Sequence, residues 1–114
     1  MGWTKWRLLL APGRDLQLDF DNDGPACYEL GVGGPRGGDI RPYYVGETNN
    51  EAARMRQYAY NGSHNNAVIG AILRSGKCLY YRACAMETKR DAWERQNRML
   101  KNFKYEWNKH GNRD

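Results

Sequence analysis

Residues 26–46, ACYELGVGGPRGGDIRPYYVG, decide the fold of this chain of 114 residues. The two ends of the stretch, Ala26–Leu30 and Pro42–Gly46, hold the aromatic and apolar residues that strands favour. The segment between them, Gly31–Asp39, is rich in glycine, which adopts the positive φ angles of tight turns. We therefore predict an antiparallel hairpin with a long loop. Because this loop leads into no helix and lacks the Lys-Ser/Thr ending of a phosphate-binding loop, we interpret it as a plain connection.

Helix and strand signals alternate after the hairpin. Asn49 or Asn50 can cap a helix that continues to residue 60, and a second, shorter helix is predicted over residues 66–75. Residues 78–86 are rich in Tyr, Leu and Cys and lie between turn signals, so we predict a third strand there.

A long helix is predicted near the end of the chain. Thr88, followed by Asp91 three residues later, resembles a capping box that begins this helix. Apolar residues then recur close to every 3.6 positions, which predicts a buried stripe and a charged outer face. These apolar positions are Ala92, Met99, Leu100, Phe103 and Trp107.

The part of the chain before the hairpin is predicted to be an extension of a single domain. Residues 3–10 are apolar enough for a strand, and residues 16–20 alternate with period two. We interpret residues 1–24 as an N-terminal extension that adds a strand or two, and residues 25–114 as the main domain. The predicted class is α+β, with a small antiparallel sheet of three strands, or slightly more, flanked by helices.

The composition favours a polyanionic partner. Lysine and arginine total 18 against 13 acidic residues, a formal net charge of +5, and 12% of the residues are aromatic. A basic protein with many aromatic residues is typical of nucleic-acid binding. No apolar run approaches the roughly 20 residues that span a bilayer, so we expect no membrane partner and a cytoplasmic location.

The three cysteines argue against a zinc site or a disulfide framework. Cys27, Cys78 and Cys84 are odd in number and form no C-x-x-C pair. We predict that they are buried thiols in strands.

Two tyrosines and one arginine are candidates for chemistry. Tyr28 and Tyr44 on adjacent strands would either present two hydroxyls to one pocket or pack against each other as cross-strand aromatics. Arg54 lies on the next helix with Tyr58 one turn later on the same face. The alternative for Arg54 is a solvated side chain paired with a nearby glutamate.

Glu94 is the candidate acid. It lies off the apolar stripe of the last helix, between Arg90 and Arg98 at four residues on either side. These charges would form either an ordinary surface ion-pair ladder or a phosphate site, in which the acid holds a hard divalent cation and the arginines hold phosphate oxygens.

In this order, the residues resemble the signature of the GIY-YIG endonuclease superfamily over roughly residues 25–110. The first triplet is Ala26-Cys27-Tyr28 and the second is Tyr44-Val45-Gly46, with Arg54 ten residues after Tyr44. Downstream, Glu94 and Asn108 resemble the family's metal-binding glutamate and late asparagine. The first triplet keeps only its tyrosine, and Tyr58 stands where many members have a histidine.

The resemblance implies hydrolysis of DNA phosphodiester bonds with one divalent cation, Mg²⁺ or Mn²⁺, held by Glu94. Arg54 would neutralise charge on the phosphate, and Tyr28 would orient or deprotonate water while Tyr44 and Tyr58 favour its phenolate. His64 is assigned as a general acid or as a substitute for the missing histidine. Asn108 would fix a backbone or phosphate contact.

Several basic side chains are expected to contact DNA phosphates, which carry no sequence information. These residues are Arg56, Arg90, Arg95, Arg98, Lys101 and Lys104. The chain would act as a monomer or a homodimer, with a phage-borne or restriction-type origin. The first alternative is a non-catalytic nucleic-acid-binding module on the same scaffold, and the second is a small interaction protein whose tyrosines only pack.

Overall fold

The chain folds around a four-stranded antiparallel sheet. The structure is a computed structural model that describes residues 2–13, 19–20, 22–61 and 66–108. Numbered along the chain, the strands lie side by side in the order first, fourth, second and third, so the first and third strands form the two edges. This confirms the predicted α+β class and the small antiparallel sheet. The strands are β1 (Arg7–Leu10), β2 (Ala26–Gly33), β3 (Arg41–Thr48) and β4 (Cys78–Ala85).

The predicted hairpin is confirmed, with a shorter loop than expected. β2 continues to Gly33, because Gly31 and Val32 still pair with β3, so the predicted loop over Gly31–Asp39 was too long. The register shifts after Leu30, which pairs with Tyr44, while Gly31 pairs with Pro42. The skipped residue makes a β-bulge, a device that bends and twists a strand.

Within the described residues, three helices complete the fold. They are α1 (Glu51–Arg56), α2 (Asn66–Arg74) and α3 (Lys89–Asn102), and a π-helical turn at Gln57–Asn61 follows α1.

The predicted helix caps are confirmed. Asn50 begins α1, with its side-chain oxygen accepting from the amide of Ala53 at 3.0 Å. Thr88 begins α3 in the same way, through the amide of Asp91 at 3.0 Å. Gly76 follows α2 with φ +87°, the left-handed conformation that glycine adopts most readily after a helix.

The sheet separates two helical layers, because successive side chains of a strand point to opposite faces. On one face, Tyr28 and Leu30 of β2 pack with Met55 and Tyr58 of the α1 region and with Ile69 of α2. On the other face, a second cluster contains side chains from β2, β3 and α3. Its members include Cys27, Val45, Met99 and Leu100.

The segment after α3 covers the open edge of β3. The Trp107 amide donates to the Tyr43 carbonyl at 2.9 Å. The Asn108 side chain accepts from the Val45 amide at 3.0 Å and donates to the Val45 carbonyl at 2.9 Å. These bonds satisfy backbone groups that an edge strand otherwise leaves unpaired. The predicted buried stripe of α3 was too long, since the helix ends at Asn102 and Phe103 is 65% exposed.

The N-terminal segment contributes one described strand. β1 pairs with β4, and Trp3 forms an isolated bridge to Cys84. The strand predicted over residues 16–20 lies mostly outside the described residues.

The prediction of buried thiols in strands is confirmed, since all three cysteines are buried, in β2 and β4. Within the described residues, the structure has no helix long and apolar enough to cross a membrane.

Candidate active site

Three tyrosines and one arginine meet on the face of the sheet that carries α1 and α2. The Tyr28 hydroxyl lies 2.9 Å from the Tyr58 hydroxyl. The guanidinium of Arg54 donates to the Tyr28 hydroxyl at 3.3 Å. The ring centroids of Tyr28 and Tyr44 are 6.1 Å apart and tilted by 41°. We call Tyr28, Tyr44, Tyr58 and Arg54 the tyrosine–arginine cluster.

The start of α1 places Arg54 and Tyr58 in this cluster. Asn50 fixes the first turn, since its side chain accepts from Ala53 and its carbonyl accepts from the Arg54 amide at 3.1 Å. The first turn is also tied to the segment before β2, because the Glu51 amide donates to the Gly24 carbonyl at 3.0 Å. Tyr58 follows Arg54 by four residues, which puts both side chains on the same face of the helix.

Gly46 leaves the space that the Tyr28 ring occupies. Tyr28 and Gly46 are directly paired across β2 and β3. A Cβ atom on Gly46 would lie 2.6 Å from both Cζ and the hydroxyl oxygen of Tyr28, and 2.9 Å from Cε2 of Tyr44. These distances are shorter than any van der Waals contact. The glycine of the Tyr-x-Gly triplet is therefore required by the phenol that lies across it.

The Tyr28 hydroxyl is held in its neutral form. Tyr28 is 0% exposed. This burial is the main cause that raises the pKa of Tyr28 well above its usual value; Tyr58 and Tyr44 raise it further, and Arg54 lowers it by less. The expectation that Tyr44 and Tyr58 favour a Tyr28 phenolate finds no support in this conformation, since both neighbours raise the pKa of Tyr28.

Arg54 carries a positive charge that no carboxylate among the described residues balances. Half-burial lowers the pKa of Arg54, but its neighbour Tyr28 raises it, and the net direction is upward. In the described part of the chain, the ion pairs are Arg82–Glu29 and Arg90–Glu94, and neither includes Arg54. A half-buried guanidinium held by a phenol oxygen can therefore bind an external anion such as a phosphate.

The structure does not bring Glu94 into the tyrosine–arginine cluster. Glu94 lies on α3, the layer on the opposite face of the sheet, where Met99 contacts the Cys27 thiol at 3.9 Å. The Glu94 carboxylate accepts from Nε of Arg90 at 3.4 Å, and its side chain is 48% exposed. This contact is the surface ion pair that the sequence offered as the alternative.

The residues at the tyrosine–arginine cluster do not fit a divalent cation. Its donors are three phenols beside a guanidinium, whereas Mg²⁺ prefers carboxylate oxygens. Glu94 lines a separate groove of about 310 Å³ with Glu87 and Asp91. Even there, the described residues contain no group of three or more His, Cys, Asp or Glu side chains that could hold a metal ion.

The remaining site residues fall in different places. His64 lies outside the described residues. Arg56 is on α1, with its guanidinium 5.6 Å from the centre of the Phe20 ring. Asn108 acts on the backbone of Val45, between Tyr44 and Gly46. The other predicted phosphate contacts belong to α3 or directly follow it, namely Arg90, Arg95, Arg98, Lys101 and Lys104.

Sequence reasoning missed a second polar group, formed by Glu29, Arg82 and Tyr105, which we call the Glu29 network. Nε of Arg82 donates to the Glu29 carboxylate at 2.5 Å, and the Tyr105 hydroxyl donates to its other oxygen. Glu29 is 2% exposed, and the Arg82 guanidinium lies 4.6 Å from the centre of a Trp6 ring. An acid within the apolar run Ala26–Leu30 was the signal that could have indicated this network.

Comparison with known proteins identifies the family. A family model described as GIY-YIG domain-containing protein matches residues 14–114. The chain therefore belongs to the GIY-YIG domain family, and nuclease is the class of activity that this membership supports. No curated protein matches the sequence. No solved structure matches it either.

Proposed function

We propose that the protein is a DNA endonuclease that hydrolyses phosphodiester bonds at the tyrosine–arginine cluster. The observation that supports this most directly is the guanidinium of Arg54, which is half-buried, bonded to the Tyr28 hydroxyl and unpaired with any described carboxylate. A guanidinium binds phosphate through parallel N–H···O bonds. Family membership supplies the class of reaction.

Each residue of the tyrosine–arginine cluster has a distinct role in this proposal. Arg54 binds the scissile phosphate and neutralises the charge that develops on its oxygens, an electrostatic role in which preorganised cations are most effective. Tyr28 orients Arg54 through its hydroxyl, and Tyr58 in turn orients Tyr28. Because Tyr28 is buried and neutral, it serves here as a hydrogen-bonding group and not as the base that deprotonates water.

We also propose that hydrolysis depends on Mg²⁺ or Mn²⁺. Glu94 is the ligand that the family resemblance implies, and because α3 packs on the opposite face of the sheet, a cation held there would not belong to the tyrosine–arginine cluster. An exposed carboxylate is a suitable hard ligand, and Mg²⁺ often has one or two protein carboxylates and completes its shell with water and substrate phosphates. Asn108 would keep β3 in place, and His64 stays the proposed general acid or substitute partner. A cytoplasmic monomer or homodimer of phage or restriction type fits this activity.

The experiment measures nicking of supercoiled plasmid with Mg²⁺, with Mn²⁺ and with EDTA. The wild type should nick only with a divalent cation. Arg54→Ala should lower the rate about 100-fold or more, the usual effect of removing one preorganised charge-stabilising donor. Arg36→Ala, which removes an equal charge from the exposed β2–β3 loop, is the matched control and should keep full activity.

Glu94→Gln and Tyr28→Phe separate the parts of the proposal. Loss of nicking in Glu94→Gln, restored by raising the Mn²⁺ concentration, would support the metal role. Full activity of Glu94→Gln would exclude it, and full activity of Arg54→Ala would exclude the whole site.

A second candidate function is a non-catalytic nucleic-acid-binding module on the same scaffold. Two observations favour it: Tyr28 has no solvent exposure, and Glu94 lies on the opposite layer of the sheet. The same plasmid experiment distinguishes the two functions. A wild type that shifts DNA in a gel but does not nick it with either cation would establish the binding module.

A further inference from the structure

Trp93 differs from the other tryptophans of the chain in having no stacking partner among the described residues. Trp3 and Trp6 each lie against the Arg82 guanidinium, at 5.5 and 4.6 Å. Trp107 stacks on Tyr43 with ring centroids 5.2 Å apart. Trp93 is 51% exposed on α3. A large flat ring left half in water on a helix is available for an external partner.

Basic side chains surround this indole. We call the exposed basic and aromatic side of α3 around Trp93 the α3 outer face; the exposed Lys89 and Asp91 of the same helix adjoin it, and their charges offset each other. The helix α3 contains five basic and two acidic residues. The acid next to Trp93 in the sequence, Glu94, is paired with Arg90. The α3 outer face therefore combines positive charge with one exposed aromatic ring. Its members are Arg90, Trp93, Glu94, Arg98 and Lys101.

The α3 outer face and the tyrosine–arginine cluster lie on opposite sides of the molecule. The cluster packs with α1 and α2 on one face of the sheet, whereas α3 packs on the other. α3 buries Ala92 and Gln96 and leaves Trp93 and Glu94 in solvent. A stretch of backbone bound at Arg54 is therefore not the stretch that meets Trp93.

We propose that the α3 outer face binds unpaired nucleotides, with Trp93 stacking on a base and Arg90, Arg98 and Lys101 contacting the phosphates. Stacking requires the flat face of a base, which a duplex covers with neighbouring base pairs, whereas phosphate contacts alone would serve duplex and single strand equally. The inference rests on the proposed action on DNA and names its substrate class: DNA that offers a single-stranded segment beside the strand to be cut, as gapped or branched DNA does.

A second copy of the chain is the rival occupant of this surface. The positive charge of the α3 outer face disfavours it, because two copies meeting through this face would bring like charges together. A polyanion such as DNA would instead neutralise the positive charge of the α3 outer face.

The test compares binding of a gapped duplex and an intact duplex of the same length by wild type and Trp93→Ala. Because Trp93 is exposed, its removal should leave the fold intact, which the thermal unfolding midpoint verifies. Trp93→Ala should weaken binding to the gapped duplex about tenfold or more, as loss of one stacked base does, and should leave binding to the intact duplex unchanged. Trp93→Phe, which keeps an aromatic ring, should recover most of the affinity.

The matched control is Tyr60→Ala, which removes another exposed aromatic side chain (63%), this one from the α1 layer. It should not change the preference for the gapped duplex. Equal losses on both DNA forms in Trp93→Ala would overturn the proposal. The proposal would also be overturned if the wild type sediments as a dimer and Trp93→Ala as a monomer, because the surface would then bind a second copy.

This result is independent of the plasmid assay. If Arg54→Ala stops nicking but retains a preference for the gapped duplex that depends on Trp93, both proposals hold. If the preference is absent while nicking depends on Arg54, only this inference fails. If no protein nicks but the preference depends on Trp93, only the endonuclease proposal fails.

Discussion

Tyr28 and Glu29 are neighbours in β2, point to opposite faces of the sheet, and each hydrogen-bonds to one arginine and one tyrosine. On one face Tyr28 meets Arg54 and Tyr58. On the other face Glu29 meets Arg82 and Tyr105. The two groups use the same side-chain types around the same strand, and they differ in whether the arginine is balanced by a carboxylate.

That difference separates a group that holds the fold together from a group that can bind a ligand. The Glu29 carboxylate neutralises Arg82 and has both oxygens bonded, so the Glu29 network is complete without a partner. Arg54 meets a neutral phenol instead, so its charge stays available. Of these two arginines, Arg54 has no carboxylate partner among the described residues and is therefore the one to test for function.

The largest expected effect on stability comes from breaking the Glu29 network. Arg82→Ala leaves a buried carboxylate without its cation, and the free energy of unfolding should fall by about 3 kcal/mol, measured by urea denaturation. Arg54→Ala should cost less than about 1 kcal/mol, because it removes one hydrogen bond from a phenol that keeps Tyr58.

Glu29→Gln added to Arg82→Ala should recover part of the loss, since it removes the uncompensated charge. If Arg54→Ala lowers the free energy of unfolding more than Arg82→Ala does, the Glu29 network is not the more important of the two groups for stability.

A smaller effect is expected from filling the space across from Tyr28. In Gly46→Ala, the new Cβ lies 2.6 Å from the Tyr28 hydroxyl unless the ring moves. Overpacking of this kind costs about 1–3 kcal/mol, and the displaced phenol should also lower nicking, because it no longer holds Arg54. Thermal unfolding and plasmid nicking are measured together.

Gly34→Ala, in the β2–β3 loop where a Cβ meets nothing within 4 Å, is the control. Unchanged nicking in a Gly46→Ala protein that still folds would show that the position of Tyr28 does not matter.

The last expected effect, which is absent at neutral pH, is a loss of stability in alkali that begins on the Glu29 side of β2. Burial raises the pKa of Cys27 from 9.0 to about 12. A group whose pKa is raised by folding stabilises the protein fully below its unfolded pKa and loses that contribution as the pH rises towards the folded value. Between pH 9 and about 12, the free energy of unfolding should therefore fall by about 1.4 kcal/mol per pH unit from this thiol.

Because the pKa of Tyr28 is also raised, Tyr28 should lower the free energy of unfolding as the pH rises above its ordinary pKa of 10.0. The two contributions are separated with Cys27→Ala, which should remove the part between pH 9 and 10. If the urea midpoint of Cys27→Ala falls as steeply as that of the wild type over this interval, the thiol is not its source.

Much of the fold could be predicted from local patterns. The hairpin, the caps at Asn50 and Thr88, and the buried cysteines follow from residue type and spacing, because strand alternation and helix capping depend on neighbours in the sequence. The exposure of Glu94 was also visible in the sequence, from its position off the apolar stripe of α3. Its functional assignment came instead from resemblance, and the structure places it away from Tyr28.

The sequence by itself determined the alternation of strands and helices, the Tyr-x-Gly triplet and the family, since these depend on the order and type of residues. Only the tertiary structure decided which arginine is neutralised, since Glu29 and Arg82 are separated by 53 positions and meet through the pairing of β2 with β4. It also decided the protonation of Tyr28, because desolvation depends on everything packed around the hydroxyl and not on its neighbours along the chain.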